Sequence, residues 1–188
     1  CFDPDPSMGS PRFTAPSDLM ADEAFRSGVA CLGRYGLVYD ALLYHHQLPA
    51  LAELARAVPG TTIVVNHIGS PLGKGRYLNR RAEVHEEWKK GIALLKGCEN
   101  VFLKLGGLGI PRAGFEWHAR QAPPGSEELA KAFEPYYGHC IERFGAARCM
   151  FESNFPVDRV SYSYTVLWNA FKRLAGSCSP GERAALFQ

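Results

Sequence analysis

His67 is the residue whose setting most invites chemistry. It closes residues 61–67 (TTIVVNH), a β-branched apolar run that reads as a buried strand, and the Gly- and Pro-rich turn GSPLGKGRY follows it. An imidazole titrates near neutrality, so at a strand end it can ligate a metal, exchange a proton or donate a hydrogen bond. The plainer use of the same ring is a bond to nearby backbone. Glu152 ends a second strand-like stretch, 148–152 (RCMFE), and alternation puts Glu152 and Asn154 on one face. A charge inside a strand is costly unless it is paired. Asp40, Lys104 and Glu152 are all read within strands, so they are expected either to pair with one another or to serve a site.

Other candidates carry weaker signals. His45 and His46 follow Tyr44 at a strand end; being adjacent, they point to opposite faces, and at most one looks into a site. Trp117 and His118 lie in a long loop placed either over a site as a lid or on the surface. His85 and His139 fall on helices and are expected in solvent. Gly106-Gly107-Leu108-Gly109 follows a strand but matches neither G-x-G-x-x-G nor G-x-x-x-x-G-K-[ST], which argues against nucleotide phosphates. There is no G-x-S-x-G elbow.

The elements that must position these residues alternate. A helix is expected from about Asp22, with Phe25, Val29 and Leu32 at helical spacing. Strands are expected at 37–44, 61–67, 101–105 and 148–152, separated by helices starting at Pro49, Arg80 and Ser126. Ser126 is read as a helix cap, and Pro135 is expected to kink or split its helix. A helix over 162–174 should turn Tyr164, Leu167, Trp168 and Phe171 inward, and Ser179-Pro180 opens a last one. Residues 1–17, with four prolines, read as a loop leaving a strand whose end is Cys1-Phe2. Such βα alternation means a parallel sheet with right-handed crossovers. An open doubly wound sheet and the C-terminal part of a (β/α)8 TIM barrel, about four to five βα units, both fit. Either fold gathers function at the C-terminal ends of the strands.

Composition bounds the rest. The chain has 188 residues, with 21 Lys plus Arg against 19 Asp plus Glu, and 46% apolar residues. That is a globular composition for a single domain over 1–188, with 1–17 a loop and 18–188 the βα units. A net charge of +2 gives no case for nucleic acid or an anionic membrane surface, and no apolar run approaches a membrane span of ~20 residues. Six scattered cysteines without a C-x-x-C pair read as free thiols in a reducing, cytoplasmic setting. Cys1 at one end and Ala-Leu-Phe-Gln at the other read as cut ends, and the acidic, Pro-broken start does not read as a secretory leader.

Four stretches resemble the amidohydrolase-related family of TIM-barrel hydrolases, in its lactonase-like branch. They are YHHQLP at 44–49, VVNHIG at 64–69, LKLGG at 103–107 and RCMFESNFPVD at 148–158. The resemblance implies a (β/α)8 barrel in which water attacks a lactone or a similar carbonyl of a small, carboxylated molecule. It implies that His67 binds a divalent metal such as Zn or Mn, if one is used, or polarises the carbonyl. A His-x-His pair and a Ser-Asp-Phe-Pro motif belong to the pattern. This sequence has no His-x-His, and it reads Ser153-Asn154-Phe155-Pro156. Asn154 has no titratable carboxylate, so Glu152, or Asp158 as the second choice, is expected to supply the base, with Asn154 orienting water or substrate. Tyr44, His45, Lys104, Trp117 and His118 are the expected substrate contacts, and a homo-oligomer is compatible with the pattern. The alternatives are a non-catalytic or decarboxylase-like relative, or a stand-alone α/β binding module.

Overall fold

The computed structural model describes Asp3, Asp5, Met8 and residues 16–188. The expected strand end at Cys1-Phe2 lies outside the described residues. Helix α1 (Glu23–Arg34) starts where the Asp22 carboxylate accepts the Phe25 N–H at 2.7 Å. It leads into β1 (Tyr39–Ala41) and then α2 (Leu48–Ala57), where Pro49 sits in the first turn and gives up no helical bond. β2 (Ile63–Val65) and α3 (Arg81–Lys96) follow, and then β3 (Val101–Leu105). Helix α4 (Ser126–Phe133) runs into a π-helical turn, Glu134–Gly138, and on into α5 (His139–Phe144). Pro135, lacking an N–H, lies in that turn and divides the helix as its chemistry requires. β4 (Cys149–Phe151), α6 (Tyr164–Leu174) and α7 (Pro180–Leu186) complete the order. Ser163 caps α6, and a Ser179–Glu182 capping box opens α7.

The strands pair in parallel in the order β1-β2-β3-β4. The register aligns Ala41 with Val65, Val65 with Leu103, and Leu103 with Cys149. A doubly wound sheet reverses its order at a switch point; this one does not, so it winds in one direction as a barrel does. Alternation sorts the side chains. Ala41, Ile63, Val65, Val101, Leu103 and Leu105 have 0% exposure and meet the helices. Asp40, Phe102, Lys104 and Met150 lie on the other, partly open face, which is the lumen side. The four units are consecutive βα units of a (β/α)8 barrel. No described helix is long and apolar enough to cross a membrane.

Several expectations need correction. The strand expected over 37–44 is three residues long, and Leu37, Val38 and Leu42 are exposed beside it, because β1 is an edge strand paired on one side only among the described residues. The strand expected to reach His67 stops at Val65, since His67, Ile68 and Ser70 turn into the left-handed region. Ser126 does not cap; it is the first residue of α4, and its hydroxyl accepts from Arg173 Nε at 3.1 Å. Tyr164 is 52% exposed rather than inward. His85 and His139 are not solvated side chains but are half-buried against the Trp88 ring, and burial lowers the His139 pKa.

Candidate active site

At the C-terminal end of the strands the chain brings His67 and Glu152 together. Their Nδ1 and Oε1 atoms form a hydrogen bond between residues 85 positions apart, and both side chains are largely buried, with 16% and 19% exposure. The local sequence explains how. Backbone angles φ of 53° at His67 and 51° at Ile68 swing the imidazole off the end of β2 toward β4. Gly106 and Gly107 close β3 between them. A Cβ at Gly106 would lie 2.2 Å from Glu152 Cγ, and one at Gly107 would lie 2.4 Å from the His67 ring. The Gly-Gly pair is therefore a seat for the two side chains, and Gly107, at φ 74°, has the conformation glycine suits best. With Nδ1 committed to the carboxylate, Nε2 is the nitrogen left for chemistry.

Asn154, also in the left-handed region at φ 50°, donates from Nδ2 to Asp158 Oδ1 at 2.7 Å. Asp158 is fully buried, and its Oδ2 accepts from the Tyr162 hydroxyl at 2.8 Å and the Gly109 N–H at 3.2 Å. Burial pushes the Asp158 carboxyl up, against those three donors and the attraction of His67. This hub gathers residues from two of the strand-end loops, those after β3 and β4. Its signal in the sequence is the spacing of four that links Asn154, Asp158 and Tyr162.

The other candidates make contacts of their own. Lys104 pairs with Asp40 at 2.7 Å on the lumen face, as expected of two strand charges, while Glu152 pairs with His67 instead. Exposed as it is, the Lys104 pair contributes at most about 1 kcal/mol. Trp117 is buried, stacked on Phe115 and packed against Phe133 and Tyr162, and it shares a cavity with His118. His118 lines a cavity of about 650 Å³ with Phe155, Arg159 and Tyr164, between the loops after β3 and β4. Tyr44 is buried, and its hydroxyl donates to the Met8 carbonyl and accepts from Arg112 Nη1.

His45 has 0% exposure and stands edge-on to Tyr77 and His46. Neither ring nitrogen has a hydrogen-bond partner in the described structure, and Glu87 of α3 comes only to 3.6 Å. Burial, reinforced by His46 and Arg76 against Asp3, lowers its pKa to about 4. A depressed pKa favours folding above the unfolded value and withdraws that support as the pH falls. Between about pH 6.5 and 4, His45 should remove about 3 kcal/mol of stability. Urea unfolding at pH 7 and pH 4 checks this: a His45→Phe variant should lose about that much less than the native chain, and equal losses would refute it.

The residues fall short of a metal centre on their own. No group of three His, Cys, Asp or Glu able to hold an ion occurs among the described residues, at His67 or elsewhere. The five described cysteines are free.

Comparison with known proteins places these features. A protein from Sinorhizobium fredii, y4mH, is 33% identical over 95% of this chain and 54% of its own length. An L-fucono-1,5-lactonase from Burkholderia ambifaria is 30% identical over 78% of this chain and 44% of its own. The crystal structure of an amidohydrolase from Burkholderia multivorans, with zinc bound, superposes with a TM-score of 0.77 at 27% identity, covering 91% of this chain and 56% of that one. The chain thus spans about half the length of the relatives it matches. The family model described as amidohydrolase matches residues 6–188, the stretch that holds His67, Glu152 and the glycines seating them, and the chain belongs to that family.

Proposed function

We propose that this chain contributes the His67–Glu152 pair of a hydrolase that opens a lactone, or a similar carbonyl, of a small hydroxylated acid. The observation that carries the reading is the buried bond between His67 Nδ1 and Glu152 at the strand ends, where barrel enzymes do their chemistry. The base is the pair: Glu152 carries the negative charge and fixes the ring's tautomer, and His67 Nε2 is the nitrogen that accepts a proton. Water attacks the acyl carbon and gives a proton to Nε2. The tetrahedral intermediate then breaks its bond to the ring oxygen, which takes the proton back from His67, leaving a hydroxy acid. Asn154 Oδ1 accepts a hydrogen bond from the water. The zinc in the Burkholderia multivorans structure supports testing metals; the described residues do not complete such a site, and no step runs through one.

The test is acid release in a pH-stat. A panel of six-membered sugar 1,5-lactones is offered to the full-length protein, with and without Zn²⁺ or Mn²⁺. Base uptake with at least one lactone is expected; none under either condition would refute the reading. Asn154, which cannot be a base, favours a second possibility, a decarboxylase-like or non-catalytic relative. Carbon dioxide release from carboxylated ring acids, or binding without turnover, would point there.

A further inference from the structure

The Asn154–Asp158 contact fixes more than a distance. A carboxylate only accepts hydrogen bonds, so the amide group facing Asp158 Oδ1 at 2.7 Å must be the NH₂. Asn154 Oδ1 then points away from Asp158. Asp158 cannot turn to suit its neighbour, because its other oxygen holds two donors, the Tyr162 hydroxyl and the Gly109 N–H. Gly109 comes that close because it has no side chain: a Cβ there would lie 2.4 Å from the Tyr162 oxygen and 2.8 Å from Asp158 Cγ. The Asp158 N–H closes the same turn on the Asn154 carbonyl at 3.1 Å.

We propose that Asp158 is a positioning residue whose buried carboxylate locks the Asn154 amide so that Oδ1 is offered as an acceptor to an O–H group, either water or a substrate hydroxyl. The role of that acceptor in hydrolysis rests on the function proposed above; the lock itself does not. The lock needs one carboxylate and one amide. Asn154→Asp would set two carboxylates at hydrogen-bond distance, where they cannot both ionise. The groups around them are Tyr162, the Gly109 N–H, Tyr137 and His67, which Glu152 holds, and no Lys or Arg is among them. Asp158→Asn leaves an amide pair, and the bonds are satisfied only if Asn154 turns over and the new amide's oxygen at position 158 takes the two donors. The double variant N154D/D158N restores one carboxylate and one amide with the bond reversed, the amide at position 158 donating to the carboxylate at position 154.

The experiment is urea unfolding of the full chain at pH 5 and pH 8, which needs no turnover. A shared proton raises the pKa of the N154D pair in the folded state, so its stability must fall as pH rises. The folded-to-unfolded ratio of N154D should drop about tenfold or more from pH 5 to pH 8 beyond the native change, and the double variant should recover most of that loss. An N154D chain that is unfolded at both pH values while the double variant folds is the same result in extreme form. A native-like pH dependence in N154D, or a double variant no better than N154D, overturns the proposal. If turnover is found on a sugar 1,5-lactone, D158N should lower kcat while leaving KM within about threefold. Failure of turnover with the stability pattern intact would refute the hydrolase reading and leave the lock standing.

Discussion

Glu152→Gln should lower turnover by about 10³- to 10⁴-fold while leaving the protein folded, a loss of about 4–5.5 kcal/mol of transition-state stabilisation. Glutamine has the shape of glutamate, so its Cγ still fits against Gly106, where a Cβ would come within 2.2 Å. The charge behind His67 is gone, however. If the glutamine turns its NH₂ toward Nδ1, the imidazole must carry its proton on Nε2, the wrong nitrogen for a base. If it offers Oε1, the tautomer survives, but the ring takes up a proton with no opposite charge beside it. Either way kcat falls and KM moves little, because the pair acts on the proton in flight and not on the resting substrate. Unfolding by heat gives the control: the midpoint of E152Q should stay within a few degrees of the native value. Retained turnover on a lactone that the native protein opens would remove Glu152 from the mechanism.

The strand and helix order was legible because it rests on periodicity. Ile63 to Val65 are buried, as are Val101, Leu103 and Leu105 on the helix-facing side of the next strand, and Val84, Trp88, Ile92 and Leu95 face inward as their spacing predicts. What a single sequence hides is where the backbone leaves its regular form. Nothing in Asn66-His67-Ile68-Gly69 announces two non-glycine residues in the left-handed region, yet that turn aims His67 at Glu152. The Gly106-Gly107 pair was visible but had no assigned purpose, because its reason lies in distant side chains, His67 upstream beside Gly107 and Glu152 downstream beside Gly106. Asp158 illustrates the same limit. Its distance in sequence from Asn154 allows contact, but the third partner, the Gly109 N–H, comes from a different loop. Tyr44 and His45 were read at the end of a strand that in fact stops at Ala41, and the packing of Tyr77 and Met8 over them is tertiary information.

Trp88→Ala should remove about 3–5 kcal/mol of stability for the lost ring, and a further 1–3 kcal/mol for the carbonyl it leaves unpaired. The residue has 0% exposure, and its ring meets His85, Tyr136 and His139. Its Nε1 donates to the Ile68 carbonyl at 2.7 Å. That bond ties the core to the site, because Ile68 lies in the left-handed turn that carries His67, and non-glycine residues held there cost about 1–2 kcal/mol each. The alanine variant alone cannot separate packing from aim, since many core truncations would unfold so small a domain. Trp88→Phe can: it keeps an aromatic ring in the core and removes only the N–H. Urea unfolding of W88F should show a loss of about 1–3 kcal/mol. Turnover measured where W88F is still fully folded should also fall, because His67 is no longer held toward Glu152. A W88F protein as stable and as active as the native one would mean that the turn holds itself. The aim of His67 would then have to come from Gly107 and Glu152 alone.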